Sequence, residues 1–167
     1  MANAYGDTYT FRPIGIIYTP FQKQEGMPIQ GALSPESQGW IEVFPEYIQG
    51  LKDVDGFSHL ILLYVFHRSE GYQLVTRPFL EETPRGLFSI RAPRRPNPIG
   101  MTVVRLLGHT DTRLDIAGVD MIDGTPLLDI KPYIPAIDAH PQATEGWISG
   151  KMRKNGSNKL SDGRFRK

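Results

Sequence analysis

Apolar residues in this chain come in short runs divided by turn-forming residues, and almost none of the runs carries a helical period. Arg12 to Tyr18 (RPIGIIY) predicts a first strand, stopped by Thr19-Pro20. Residues 22–38, rich in Gln, Gly and Pro, read as a long loop. Such a loop in a compact domain is more often functional than idle. Gly39 to Phe44 (GWIEVF) alternates and predicts a second strand. Pro45 to Leu51 suits one short helix with Pro45 in its first turn, and Asp53 to Gly56 is turn material. His59 to Phe66 (HLILLYVF) is nearly all apolar, which predicts a central strand buried on both sides. Gly86 to Ile90, Thr102 to Leu107 and Leu114 to Met121 are further strand candidates. Asp123-Gly124 is a hairpin signal between residues 119–122 and 125–130. Short strands with frequent turns and little helix predict an all-β barrel or sandwich.

Two stretches break this pattern. Arg91-Ala92-Pro93-Arg94-Arg95-Pro96-Asn97-Pro98-Ile99-Gly100 has three prolines, which fix their own φ and push the preceding residue toward extended geometry. The result is a stiff support for three guanidinium groups, suited to a polyanion, a nucleotide or a carboxylate. Its plain alternative is a proline-rich connector whose arginines pair with nearby acids. In the second stretch, Asp120 to Tyr133, three aspartates (Asp120, Asp123, Asp129) alternate with apolar residues, which is costly in a barrel unless each carboxylate is partnered. The Arg91–Arg95 loop is the obvious source of those partners. Asp123-Gly124-Thr125-Pro126 is either a tight turn only, or part of a site for a cationic or amino-bearing ligand.

Composition narrows the chemistry. With 167 residues, 40% of them hydrophobic, the chain can bury a core as one domain, here divided as 1–140 with a basic tail at 141–167. No cysteine is present, which excludes disulfides, Cys-ligated zinc, Fe–S clusters and thiol nucleophiles. No apolar run approaches the ~20 residues of a membrane span, and the N-terminus lacks the form of a signal peptide, so the expectation is a cytoplasmic protein. The net charge of +1 hides an asymmetry. Lys151, Arg153, Lys154, Lys159, Arg164, Arg166 and Lys167 face only Asp162 in the last segment, while the body is acidic. That suits a nucleic-acid contact, or merely a solvated terminus. His59 and His67 sit on one predicted strand about 26 Å apart at 3.3 Å per residue, and His109 and His140 stand alone, so no metal site is expected. His67 and Arg68, where the apolar strand runs out, are placed to deliver function at a barrel rim. G-x-S-x-G, P-loop and Rossmann motifs are absent.

Phe57-Ser58-His59-Leu60, Val65-Phe66-His67, Arg91 with Arg95-Pro96-Asn97-Pro98-Ile99-Gly100-Met101, and Asp123-Gly124-Thr125-Pro126 with Asp129-Ile130-Lys131-Pro132-Tyr133-Ile134-Pro135 together resemble the TrmO-like tRNA adenine-N6 methyltransferases. The ordered match runs from about Ile14 to Pro135. The resemblance implies a small single β-barrel with one or two short helices and a long loop in its N-terminal half. It implies binding of S-adenosylmethionine without a Rossmann sheet, and methylation of N6 of threonylcarbamoyl-adenosine at position 37 of tRNA. It also implies a homodimer with the cofactor near the subunit boundary; neither DNA nor a membrane is an implied partner. By position, the cofactor contacts fall on Pro28, Ile29, Gln30, His67, Arg68, Arg91, Met101, Asp123, Gly124, Thr125 and Pro126. Arg91 would pair the cofactor's carboxylate; Pro28, Met101 and Pro126 would wall its adenine and ribose. An acceptor for the N6 proton is sought among Asn97, Asp123 and Asp129, with no choice made. Arg94 and Arg95, with Lys151, Arg153 and Lys154 of the tail, would meet RNA phosphate or the threonyl carboxylate. Bacterial relatives carry a further C-terminal domain, whose grip the basic tail would replace if the substrate is the same. The alternatives are a cofactor- or RNA-binding barrel without turnover, and a methylase of another small substrate.

Overall fold

Six antiparallel strands close into a barrel in a computed structural model that describes residues 8–79, 81–151 and 161. Around the barrel the order is β1 (Gly15–Tyr18), β2 (Gln38–Val43), β7 (Arg113–Ala117), β6 (Ile99–Thr110), β3 (His59–Val65) and β8 (Thr125–Pro132), with β8 closing on β1. A short ribbon, β4 (Val75–Thr76) and β5 (Arg85–Gly86), projects from the connection between β3 and β6. Among the described residues helix is limited to 3₁₀ turns, the longest being Pro45–Leu51, and one α-helical turn, α1 (Pro135–Asp138). The expected all-β barrel with short helices is what the chain forms.

The core follows from the two-residue period of the strands. Ile17, Ile41, Val43, Leu60, Leu62, Val104, Leu114, Ile116 and Leu127 point inward and are buried. Leu51 and Val54 pack against this cluster at the end where β3 begins, and Val119 and Met121 at the end where it finishes.

Several expectations need correction. His59–Val65 is buried on one face only: Leu60, Leu62 and Tyr64 are enclosed, and His59, Ile61, Leu63 and Val65 are half-covered. A barrel strand has a single inner face, however apolar its sequence. Its outer face lies beside Ile99, Met101 and Val103, which are 40%, 52% and 38% exposed. Gly86–Ile90 is not a strand: after Gly86 the chain turns into a 3₁₀ segment, Leu87–Ser89. Asp123-Gly124 is not a hairpin either. β7 ends at Ala117, the chain turns at Gly118 with φ of +85°, and residues 119–122 cross the barrel end with Val119 and Met121 plugging it. β8 then pairs with β1 and β3, not with the segment before it. Burying Val119 and Met121 under the barrel end outweighs a local ladder. β1 starts at Gly15 rather than Arg12, and β6 runs on to Thr110 through an irregularity between Leu106 and Gly108.

Candidate functional site

One end of the barrel carries a cavity of about 390 Å³, a size suited to a small molecule. Three separate segments build it. The loop after β1 supplies Pro28, Ile29 and Gln30; the end of β3 supplies Tyr64, Phe66, His67 and Arg68; the stiff loop and the start of β6 supply Arg91, Arg95, Ile99 and Met101. Thr125 at the start of β8 completes the wall. Eight of the expected cofactor residues therefore converge: Pro28, Ile29, Gln30, His67, Arg68, Arg91, Met101 and Thr125. Asp123, Gly124 and Pro126 do not line it. Asp123 works behind the wall: its carboxylate accepts from the Thr19 backbone at 3.0 Å and from Gln22 at 3.2 Å.

At the floor lies Asp120, a residue that the sequence reading marked only as one of three costly aspartates. Its carboxylate accepts from the Gly31 backbone N–H at 2.7 Å and from the Thr102 hydroxyl at 2.6 Å, while the Tyr64 hydroxyl stands 3.0 Å from Thr102. Burial pushes its pKa up, against the pull of those hydrogen bonds and of the Arg91 charge. Burial likewise raises the Tyr64 phenol, helped by the neighbouring Asp120 charge. The network fixes the loop after β1, because Gly31 directly follows Gln30, and Gln30 Oε1 accepts from Arg91 at 2.9 Å. Two glycines make room for it. A Cβ on Gly31 would stand 2.0 Å from the Gly118 carbonyl, and one on Gly100 would stand 2.2 Å from the Tyr64 ring. Gly100 is thus present for ring clearance, not for a turn.

The expected pairing of Arg91–Arg95 with the three aspartates does not occur among the described residues. Arg94 donates to the Glu70 carbonyl at 2.7 Å, and Arg95 to the Ile90 carbonyl at 3.0 Å. Free backbone carbonyls lie nearer to these guanidiniums than any carboxylate does. Arg68 donates to the Gln22 carbonyl at 2.9 Å. His67, through loss of solvent and then the adjoining Arg68 charge, has its pKa held below the usual 6.5.

The remaining candidates lie elsewhere. Asn97 is exposed on the stiff loop, outside the cavity wall. Asp129 belongs to the opposite barrel end, where it accepts from the Ile130 backbone and pairs with Lys131 at 2.7 Å. Lys151 pairs with Glu81 and lies 5.5 Å from the centre of the Trp147 ring. That ring packs on Leu87, Ile90 and Ala92. Arg153 and Lys154 lie outside the described residues. Ser161 reaches the cavity wall, exchanging backbone hydrogen bonds with Gly26 and Met27. Among the described residues no group of His, Asp and Glu is arranged to hold a metal ion, and no helix is long and apolar enough to cross a membrane. Asp120, Tyr64, Phe66 and Phe88 were not named as site residues: Tyr64, Phe66 and Phe88 read as strand and Asp120 as a carboxylate in need of a partner, although Val65-Phe66-His67 carried part of the resemblance.

Comparison with known proteins agrees with the barrel fold. A probable S-adenosyl-L-methionine-binding protein of Pyrococcus abyssi is 46% identical over 93% of this chain and 84% of its own length. The tRNA (adenine(37)-N6)-methyltransferase of Escherichia coli is 34% identical over 84% of this chain, which spans 64% of that protein. The crystal structure of TrmO from Pseudomonas aeruginosa superposes with a TM-score of 0.72 at 37% identity, covering 84% of this chain and 63% of that one. Residues 16–139 match the family model described as tRNA-methyltransferase O N-terminal domain, and the chain belongs to that family.

Proposed function

We propose that this protein transfers a methyl group from S-adenosylmethionine to N6 of adenine 37 in tRNA, with threonylcarbamoyl-adenosine as the modified base. The observation that carries the reading is the convergence of Pro28–Gln30, His67, Arg68, Arg91 and Met101 on one cavity. The lining fits the cofactor's chemistry: Arg91 offers a bidentate cation for its carboxylate, and Pro28, Ile29, Ile90 and Met101 offer apolar walls for its adenosine. When bound, the cofactor supplies a methyl group on a sulfonium centre. The protein's own work is to align donor and base and to exclude water.

N6 must also lose a proton. Asn97 and Asp129 stand off the cavity, and both Asp123 oxygens are engaged behind it. His67 is the acceptor this reading selects, because it lines the cavity and its depressed pKa keeps the ring neutral at pH 7. Arg94 and Arg95 would face the RNA, while Lys151 would first have to release Glu81. The exposed apolar stripe of Ile99, Met101 and Val103 supports self-association beside the cavity, and residues 141–167 are read as a basic appendage to the barrel of 1–140.

The test is mass spectrometry of digested tRNA. Purified protein with S-adenosylmethionine is expected to add one methyl group to threonylcarbamoyl-adenosine in tRNA from a strain lacking the activity. Methylation of unmodified adenine 37 alone would correct the substrate, and no methyl transfer to any tRNA would overturn the reading.

A further inference from the structure

We propose that the Phe88 ring, with Arg95 beside it, is a stacking platform for an unpaired nucleobase at the mouth of the cavity. The inference rests on the tRNA reading above and names a contact for its substrate. Phe88 is 76% exposed, although its neighbours Leu87 and Ile90 are buried at 1% and 8%. An exposed ring alone means little; three further observations give this one a role.

First, the ring sits on a clamped turn. The Leu87 backbone N–H donates to the Leu74 carbonyl at 2.8 Å, and Trp147 Nε1 donates to the Ser89 carbonyl at 2.7 Å. Arg95 donates to the Ile90 carbonyl at 3.0 Å and, more weakly, to that of Leu87 at 3.4 Å. The turn cannot readily fold the ring down onto the body, since Leu87 and Ile90 already fill that space with Ala92 and Trp147. Second, Phe88 lines the same cavity as His67 and Arg91, so a group lying on the ring also faces the proposed reaction centre. Third, the Arg95 guanidinium carbon lies 5.8 Å from the ring centroid, which places a fixed cation beside the apolar surface.

A ligand for this surface needs a flat π-face and negative charge next to it. An unpaired base with its own phosphate has both, and such bases in RNA are held by aromatic and guanidinium planes. A purely apolar partner would leave the Arg95 charge unmatched.

The experiment is an anisotropy titration of the full-length protein at low salt with two labelled RNA hairpins. One carries adenine immediately 3′ of the anticodon triplet, and the other an abasic site there. We expect wild type to bind the adenine hairpin about tenfold more tightly. Phe88→Ala should erase that ratio, and Phe88→Trp should keep it. Equal affinities in wild type, or an unchanged ratio in Phe88→Ala, would overturn the proposal. So would conversion of a dimer to a monomer by Phe88→Ala, which would show that a second copy covers the ring. A protein that keeps the adenine preference but methylates no tRNA would refute the enzymatic reading while leaving the platform intact.

Discussion

The two ends of the barrel each hold a hollow, and among the described residues only one is built on a buried carboxylate. The end away from Arg91 has about 560 Å³, lined by Val43, Leu51 and Leu60 and by the charged side chains of Glu46, Lys52, Asp53 and Asp129, none of which is buried. The Arg91 end has about 390 Å³. At the larger hollow the carboxylate of Asp129 is satisfied by its own neighbours, Ile130 and Lys131. At the smaller one, Asp120 is held by residues from three distant segments, and five cationic or titratable side chains face the same space: Tyr64, His67, Arg68, Arg91 and Arg95. A buried carboxylate held from distant segments, rather than volume or the number of charges, separates a site from a gap in packing. One motif spans both ends because β8 crosses the barrel wall, and Asp123 and Asp129 lie about 20 Å apart along the chain at 3.3 Å per residue. They cannot serve one centre.

Paired substitutions at the two ends sharpen this contrast. The largest difference is expected between Gly100→Ala and Gly50→Ala. The first drives a Cβ into the Tyr64 ring and should cost about 1–3 kcal/mol of stability. The second meets no atom within 4 Å at the far end and should change stability by less than about 0.5 kcal/mol. Urea unfolding of both variants measures the gap, and equal effects would break the comparison.

Asp120→Asn comes next. An amide oxygen can serve only one of the Gly31 and Thr102 donors, so about 2 kcal/mol of stability is expected to go, with roughly tenfold weaker cofactor binding as the Pro28–Gln30 loop loosens. Asp129→Asn loses only an exposed ion pair, expected to cost under about 1 kcal/mol, and should leave cofactor affinity within about twofold. The sign with pH follows from the raised Asp120 pKa. The folded state holds that proton more tightly than the unfolded chain does near 3.8, so this group's contribution to stability falls as pH rises from about there through the raised value. Asp120→Asn should flatten that slope, as read by unfolding midpoints across the range.

The smallest expected effect on stability is at His67, where the change falls on the rate. Its depressed pKa puts the acid limb of the methylation rate below pH 6.5. His67→Gln should remove the limb and lower the rate by a larger factor than it weakens cofactor binding. A limb that persists would move the proton acceptor elsewhere.

Much of this was legible in the sequence because it is local or repeated. Strand periodicity gave the barrel walls, and Pro45 at the head of Pro45–Leu51 gave the longest 3₁₀ segment. The resemblance brought Pro28–Gln30, His67, Arg68, Arg91 and Met101 together before any geometry was available. What escaped is held by distant partners. Gly31 and Asp120 are 89 residues apart, and Tyr64 and Thr102 are 38 apart. No local pattern distinguishes Asp120, whose carboxylate organises the site, from Asp129, whose carboxylate is spent on its own strand. Asp123-Gly124 carries real turn chemistry, with Gly124 at φ of +74°, but turn chemistry does not say which strand pairs next. The plug formed by Val119 and Met121 decided that instead.

The proposed methyl transfer depends first on capture of S-adenosylmethionine by the Arg91 guanidinium at that end of the barrel. Calorimetric titration with S-adenosylmethionine, run on wild type, Arg91→Ala and Asp129→Asn, tests it most directly. One site per chain is expected, at least about tenfold weaker in Arg91→Ala and unchanged in Asp129→Asn. No binding to wild type, or equal loss in the two variants, would contradict it.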